Sequence, residues 1–245
     1  MTRFKLTIEY DGTPFSGWQR QDNQPTVQGS LEQAASALEE VPVQVFGAGR
    51  TDAGVHALGQ VAHVDLAKDL RADTVRDALN HHLGANPISV LDAQQVDDDF
   101  EARFDAIRRT YLYRLIDRRP PLALERGRVW RMPQIVDVEA MREAAQVLLG
   151  AHDFTTFRDV QCQANTPMRT LDEISISRVG AEIHFFYGAR SYLHRQVRSI
   201  TGSLVNVGVG RWTKVDLKQA LQACDRSRCG PVAPADGLYL NSVHY

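Results

Sequence analysis

The sequence predicts an α+β protein built as two related lobes of mixed, mainly antiparallel sheet, with helices on one face and a central cleft. Segments with the period-two alternation of strands and segments with helical spacing occur in both halves of the chain. Their order lacks the strict strand and helix alternation, and the long parallel runs, of a barrel. At 245 residues the chain is long enough for two lobes, which we place at 1–105 and 106–245.

The elements of the first half follow from local patterns. Apolar residues with period two predict a strand at 3–10, which Asp11-Gly12 ends with a turn. Thr26 is placed to cap a helix that begins at Val27. The patterns then predict, in order, a strand at 43–46, a glycine-rich loop at 47–54, a strand at 60–66 and a helix at 74–83.

In the second half, the aromatic and branched residues of 107–116 predict a strand that places Tyr111 on one face with Tyr113. On a helix expected to begin at Tyr192, an apolar stripe places Arg198 on a neighbouring face. The other predicted elements are a loop or crossover at 117–133, a helix at 138–149, a hairpin of strands 171–178 and 182–187 joined at Gly180, a helix at 215–224 with a capping box of Thr213 and Asp216, and a closing strand at 238–243.

Composition and charge limit the class of partner and the compartment. Lys and Arg number 28 against 30 Asp and Glu, but arginines crowd together within 103–131, and one basic face can bind phosphates. The 3 cysteines form no disulfide framework, which favours a reducing cytoplasm. Residues 1–10 lack the features of a signal peptide, and no run is apolar enough to span a bilayer, so we expect no membrane association.

The loop GAGRTDAGVHA, at 47–57, is the strongest local indication of chemistry. Its glycines allow sharp turns and close approach of the backbone to a ligand. An aspartate in such a loop more often makes only a local turn through its side chain. If the loop is extended, however, Arg50 and Asp52 project to the same side and face a common cleft.

This loop resembles the catalytic motif of the TruA family of tRNA pseudouridine synthases. Further stretches that resemble the family, in its order, are EYDGTPFSGWQRQ (9–21), DDDFEARFDAIRRTYLYRL (97–115), LLGAHDFTTFR (148–158), SYLHRQVRSITGSL (191–204) and GLYL (237–240). They span nearly the whole chain. Their order and spacing argue against coincidence.

The resemblance implies that the protein isomerises uridine to pseudouridine in the anticodon arm of tRNA, at positions 38, 39 and 40. It assigns Asp52 as the nucleophile, Tyr111 as the residue that contacts the target base, Arg198 as the arginine that pairs with the aspartate and Arg50 as the residue that holds the flipped nucleotide. It also implies a homodimer, and the reaction needs neither cofactor nor metal. Where the familiar motif carries Phe, His and Met, this chain has Tyr192, Arg195 and Gln196, which affects local RNA contacts more than the reaction.

Other side chains are candidates for RNA contact because they are basic and lie near these motifs. They are Arg20, Arg103, Arg108, Arg109 and His194. Trp18 contacts RNA or packs under its loop. Without the resemblance, Tyr111 would more often be a core residue and Arg198 a solvent-facing helix residue.

Two other functions compete with this interpretation. The chain could be an RNA-binding or RNA-folding module without chemistry, because basic strands with aromatic residues serve that purpose in many sheet proteins. A glycosidase is disfavoured, since the motif of Asp52 contains no second carboxylate. The sequence leaves open whether Asp52 attacks the ribose or the base.

Overall fold

The computed structural model describes residues 1–245 and contains both helices and strands along the whole chain. The strands are β1 (Thr2–Tyr10), β2 (Val45–Gly47), β3 (His56–Leu66), β4 (Ile88–Val96), β5 (Arg108–Asp117), β6 (Trp130–Met132), β7 (Gly150–Asp153), β8 (Met168–Leu171), β9 (Glu173–Val179), β10 (Glu182–Ala189) and β11 (Leu238–His244). The α-helices are α1 (Val27–Glu39), α2 (Ala72–Leu83), α3 (Val138–Ala145), α4 (Gln196–Gly208) and α5 (Lys214–Ala223). The predicted α+β class, with mixed but mainly antiparallel pairing, is confirmed.

The chain divides into two compact units. The first comprises Met1–Ile107 and Tyr239–Tyr245, and the second comprises Arg108–Leu238. The sequence placed all of 106–245 in a second lobe, whereas the closing strand returns to the first unit. No helix is both long and apolar enough to cross a membrane.

In the first unit, strands pair in the order β4-β1-β3-β11, and β2 pairs with β3. The pairs that β1 makes with β3 and β4 are antiparallel, while β11 runs parallel to β3 with Tyr239 opposite His56. Alternate side chains of β1, among them Phe4 and Ile8, are fully buried, as the period-two pattern predicts. Helices α1 and α2 pack against each other, and Thr26 caps α1 by accepting the amide hydrogen of Gly29.

In the second unit, the antiparallel order is β5-β10-β9, with β6 parallel to β5, and β7 and β8 form a separate two-stranded sheet. Helix α4 is almost entirely buried, and α3 and α5 pack against it. The predicted capping box of α5 is confirmed, because Thr213 and Asp216 each accept a hydrogen bond from the backbone amide of the other. Gly180 joins β9 to β10, as predicted, at a φ of +60°.

Several element predictions were wrong in extent or were missing. The helix expected from Tyr192 begins at Gln196, because Arg195 adopts left-handed backbone with φ 59°, and His194 therefore precedes the helix. Helix α3 ends at Ala145 and continues as a tighter 3₁₀ turn, Gln146–Leu148, in place of the expected helical end at 149. Strands β4, β6, β7 and β8 were not predicted, and β6, β7 and β8, with three or four residues each, are too short to show a clear period-two alternation.

Candidate active site

The glycine-rich loop joins β2 to β3 and presents Asp52 half-buried. The backbone oxygen of Asp52 accepts the amide hydrogen of Val55 at 3.1 Å, so Asp52 begins a four-residue turn. Gly54 takes the left-handed conformation in this turn, with φ 77°. The position of the Asp52 carboxylate therefore depends on how the two ends of this turn are held.

The loop that follows β1 holds this turn through backbone hydrogen bonds. The amide of Trp18 donates to the oxygen of Thr51 at 3.1 Å, and the amide of Gly54 donates to the oxygen of Phe15 at 3.3 Å. At Gly17, where φ is +101°, a Cβ would lie 2.6 Å from the oxygen of Thr51, so only glycine allows this approach. Trp18 itself is 2% exposed, which makes it a packing residue under the loop and not an exposed RNA contact.

Side chains also join the end of β1 to the loop. The hydroxyl of Tyr10 lies 2.9 Å from Oγ1 of Thr51 in a buried hydrogen bond. On the other side of Asp52, Nδ1 of His56 lies 3.0 Å from the amide of Gly12. These residues were not predicted as site residues, although all of them belong to the stretches that carry the resemblance. Their pairing joins residues 41 and 44 positions apart, which no local pattern indicates.

Arg50 lies two residues before Asp52 with an exposed side chain. The structure shows no hydrogen bond or ion pair of its guanidinium within the protein. Arg20, also in the first unit, is 67% exposed at its side chain and pairs with Glu32 at 3.0 Å. Arg103 is exposed, and its guanidinium lies 5.4 Å from the centre of the Phe104 ring.

In the second unit, Tyr111 lies on β5 opposite Tyr187 of β10. Tyr111 is half-buried, unlike Tyr113 two residues later, which is fully buried. Its ring meets that of Tyr192 edge-on, with centroids 5.0 Å apart. Burial raises the pKa of Tyr192, so its hydroxyl stays protonated near Tyr111.

Arg198 lies in the first turn of α4 and is half-buried, not solvent-facing. Its Nε donates to the backbone oxygen of Ala233 at 2.8 Å, and its own backbone oxygen accepts the amide hydrogen of Ala233 at 3.1 Å. Gly202, one turn later, approaches the same segment so closely that a Cβ would lie 1.7 Å from the oxygen of Pro231. The segment from Pro231 to Ala233 therefore holds the backbone and the Nε atom of Arg198 in place.

The candidate RNA contacts of the second unit have partners within the protein. Arg108 pairs with Glu173. Nη1 of Arg109 donates to the backbone oxygen of Arg190 at 2.7 Å. These bonds hold the orientation of the two arginines.

Asp159 is a residue that sequence analysis missed, and it orders the entry to α4. It is 6% exposed, and its Oδ2 accepts a hydrogen bond from Nη1 of Arg195 at 3.0 Å. Its Oδ1 lies 3.7 Å from Nδ1 of His194, the candidate RNA contact. Burial acts to raise the pKa of Asp159, but the amide of Gln161 and the charge of Arg195 outweigh it and lower that pKa.

The structure thus places the predicted site residues in two groups. Asp52 and Arg50 lie in the first unit, and Tyr111 and Arg198 lie in the second.

Comparisons with known proteins cover almost the whole chain. The family model described as tRNA pseudouridine synthase matches residues 6–105 and 144–245. A protein of Maricaulis maris (strain MCS10) named tRNA pseudouridine synthase A is 66% identical over 245 residues, which is 100% of this chain and 98% of that protein. A protein of Rhodopseudomonas palustris (strain HaA2) with the same name is 62% identical over 100% of both chains.

Among solved structures, the crystal structure of a Cbf5-Nop10-Gar1 complex is similar at 9% identity, over 82% of this chain and 54% of that chain. Its TM-score of 0.33 is too low to support an argument about this fold.

Proposed function

The chain belongs to the family of tRNA pseudouridine synthases, and from this membership we propose that it isomerises uridine to pseudouridine in the anticodon stem-loop of tRNA, at positions 38, 39 and 40. The observation that carries the proposal is the full-length identity of 66% to a relative named tRNA pseudouridine synthase A, while the three positions come from the motif resemblance. The motif loop that holds Asp52 lies within the matched residues.

In this reaction a C–N glycosidic bond breaks and a C–C bond forms between the same sugar and the same base. The base must be attacked or released, rotated and finally deprotonated at carbon without leaving the site. We assign the nucleophile to the carboxylate of Asp52, which attacks either the ribose or the base. The released electron pairs and the proton are redistributed within the substrate, so the balance requires no redox equivalent.

Two further residues act with Asp52 in the proposed chemistry. Arg198 supplies the guanidinium that favours the ionised form of Asp52, because an opposite charge stabilises a carboxylate. Tyr111 contacts the target base, and its hydroxyl takes part in removing the proton from the carbon of that base. These roles come from the matching motif positions. The half-buried state of Tyr111 and Arg198 is compatible with them.

A uridine in a stem must leave the base stack before it can react, which costs a few kcal/mol of unstacking. We assign Arg50 to the space that the base vacates. Its exposed side chain, without a partner in the protein, supports this role, because no internal bond has to break. Arg20, Arg103, Arg108, Arg109 and His194 are proposed to contact the RNA backbone, which sets shape and register more than sequence.

The assembly and compartment belong to the same proposal. We expect a homodimer that acts on tRNA in the cytoplasm. The absence of a disulfide framework among the 3 cysteines supports a reducing compartment.

The first test is incubation of the purified protein with an unmodified tRNA transcript, followed by mapping of pseudouridine. We expect product at the three anticodon-arm positions and none with Asp52→Ala or Asp52→Asn, because neither side chain is a carboxylate. Binding of the tRNA by both variants should persist, since phosphate contacts dominate affinity. Full function of Asp52→Ala would instead favour a non-catalytic RNA-binding module.

A further inference from the structure

Asp52 has a short side chain with few torsions, so the backbone on either side of it determines where its carboxylate lies. The flanking residues on both sides are tied to the end of β1. Thr51 precedes Asp52, and His56 follows the turn that Asp52 begins.

On the first side, the connection is a hydrogen bond between two hydroxyls, Tyr10 Oη and Thr51 Oγ1, 2.9 Å apart. Tyr10 is 4% exposed and Thr51 is 8% exposed, so water does not replace this bond easily. Tyr10 is the last residue of β1 and is paired with Ala57 of β3. The bond therefore ties Thr51 to the rigid sheet and not to another loop.

On the second side, His56 is 2% exposed and its ring stacks on that of Tyr239, with centroids 4.7 Å apart. Its Nδ1 lies 3.0 Å from the amide of Gly12 and 3.2 Å from Oδ1 of Asp11. A neutral ring accepts the amide hydrogen of Gly12, while a protonated ring donates to the carboxylate of Asp11. The ring is therefore bound to the Asp11-Gly12 segment in either state.

The Asp11-Gly12 segment also contacts the backbone of the loop that holds Asp52. A Cβ at Gly12 would lie 2.0 Å from the oxygen of Val55, the residue that closes the turn of Asp52. This contact leaves no room for the turn of Asp52 to shift toward β1. The end of β1 thus contacts the residues on both sides of Asp52.

We propose that Tyr10 and His56 are positioning residues that fix the Asp52 turn in the geometry required for attack. The proposal rests on the assignment of Asp52 as the nucleophile. Neither residue is required to touch the substrate. A displacement of the reacting group by about 1 Å can lower the rate about 100-fold, so bonds of this kind act mainly on kcat.

A double-mutant cycle tests the first connection. Tyr10→Phe and Thr51→Val each remove one hydroxyl while keeping the size of the side chain. We expect each to lower kcat about tenfold with KM for the tRNA transcript unchanged. The double variant should lose no more than either single variant, because both remove the same bond.

A second pair of variants tests the second connection. His56→Asn keeps an acceptor close to the position of Nδ1, whereas His56→Leu removes it. We expect His56→Asn to retain several-fold more of the wild-type kcat than His56→Leu, although both lose the stacking on Tyr239.

Thr156→Val is the matched control for loss of a buried hydroxyl. Oγ1 of Thr156 donates to the oxygen of Ala220 at 2.6 Å and accepts from the amide of Asp225 at 3.0 Å, both in the second unit. This variant should lower the melting temperature as much as Thr51→Val does, with kcat unchanged. If the loss of kcat followed the loss of melting temperature in all variants, Thr156→Val included, the positioning role would be overturned.

The outcomes separate this inference from the proposed function. Unchanged kcat in Tyr10→Phe and Thr51→Val, losses that multiply in the double variant, or a change confined to KM would overturn the inference while wild-type activity stands. A wild-type protein that forms no pseudouridine would instead overturn the proposed function itself.

Discussion

At the scale of single residues, Tyr111 and Tyr113 of β5 differ in burial. Tyr111 and Tyr113 face the same way along β5, yet Tyr113 is fully buried and donates its hydroxyl to the oxygen of Pro234 at 2.9 Å. Tyr111 remains half-buried with its ring against Tyr192. A residue that contributes only to the core would resemble Tyr113.

At the scale of this residue we predict that Tyr111→Phe lowers product formation at least about 100-fold, because a positioned proton-transfer group contributes about that factor. Binding of tRNA should stay within about twofold, since the ring that stacks on the base is kept. Single-turnover kinetics and a binding assay measure the two effects. Tyr113→Phe is the control that loses a phenol hydroxyl of the buried core. Equal activity of Tyr111→Phe and wild type would leave the ring with a stacking role only.

At the scale of elements, an ion pair joins neighbouring strands β5 and β10 of the second unit. Arg114 of β5 binds Glu182 at the start of β10 through two bonds, Nε to Oε2 at 2.8 Å and Nη2 to Oε1 at 2.6 Å. Nε2 of His184 lies 2.8 Å from Oε2 of the same carboxylate. The hydrogen bonds from Arg114, with a further contribution from His184, outweigh burial and lower the pKa of Glu182 to about 2.

This pair predicts a pH-dependent stability. The folded pKa of Glu182 lies below its ordinary value of 4.5, so its contribution is fully present above that value and is lost as pH falls from 4.5 towards about 2. Glu182→Gln should lower the free energy of unfolding by about 1–2 kcal/mol at neutral pH, a range reduced for the partial exposure of the pair. Urea unfolding across this pH range should show the variant and wild type converging.

Glu125→Gln is the control for that experiment. Glu125 also binds Nη2 of Arg114, at 2.9 Å, but its side chain is 39% exposed, so the loss should be smaller. A difference between Glu182→Gln and wild type that stays constant as pH falls would contradict the assigned cause.

At the scale of the whole molecule, binding of RNA depends more on the distribution of charge than on the net charge. The formal net charge is −2, and several arginines of the candidate RNA contacts are already bound to carboxylates or carbonyls. Phosphates would add to these bonds or compete with them. We therefore expect few full phosphate contacts and a moderate dependence of binding on salt.

The corresponding prediction concerns tRNA affinity. Raising the salt concentration about fourfold should weaken binding about 10- to 100-fold, as expected for a few phosphate contacts. Arg103→Gln, at an exposed arginine that we propose to contact the RNA backbone, should reduce the slope of log affinity against log salt by about one. Lys218→Gln, the same charge change at an exposed position of α5, is the control with an unchanged slope. Binding that is insensitive to salt would argue against the phosphate contacts.

The sequence by itself determined what depends on neighbours along the chain and on ordered motifs. Helical spacing and capping residues predicted α1 from Val27 and the capping box of Thr213 and Asp216 in α5, because such bonds join residues three apart. The order of the motifs, which include the loop of Asp52, predicted the family.

Only the tertiary structure decided what depends on residues far apart in sequence. The packing of Trp18 under the Asp52 loop and the bond from Tyr10 to Thr51 join residues that no local pattern connects. The same is true of the start of α4, where the left-handed Arg195 is held by a carboxylate 36 residues earlier. Periodicity reports which face of an element is apolar, whereas the partner that face or side chain meets is set by how the whole chain folds.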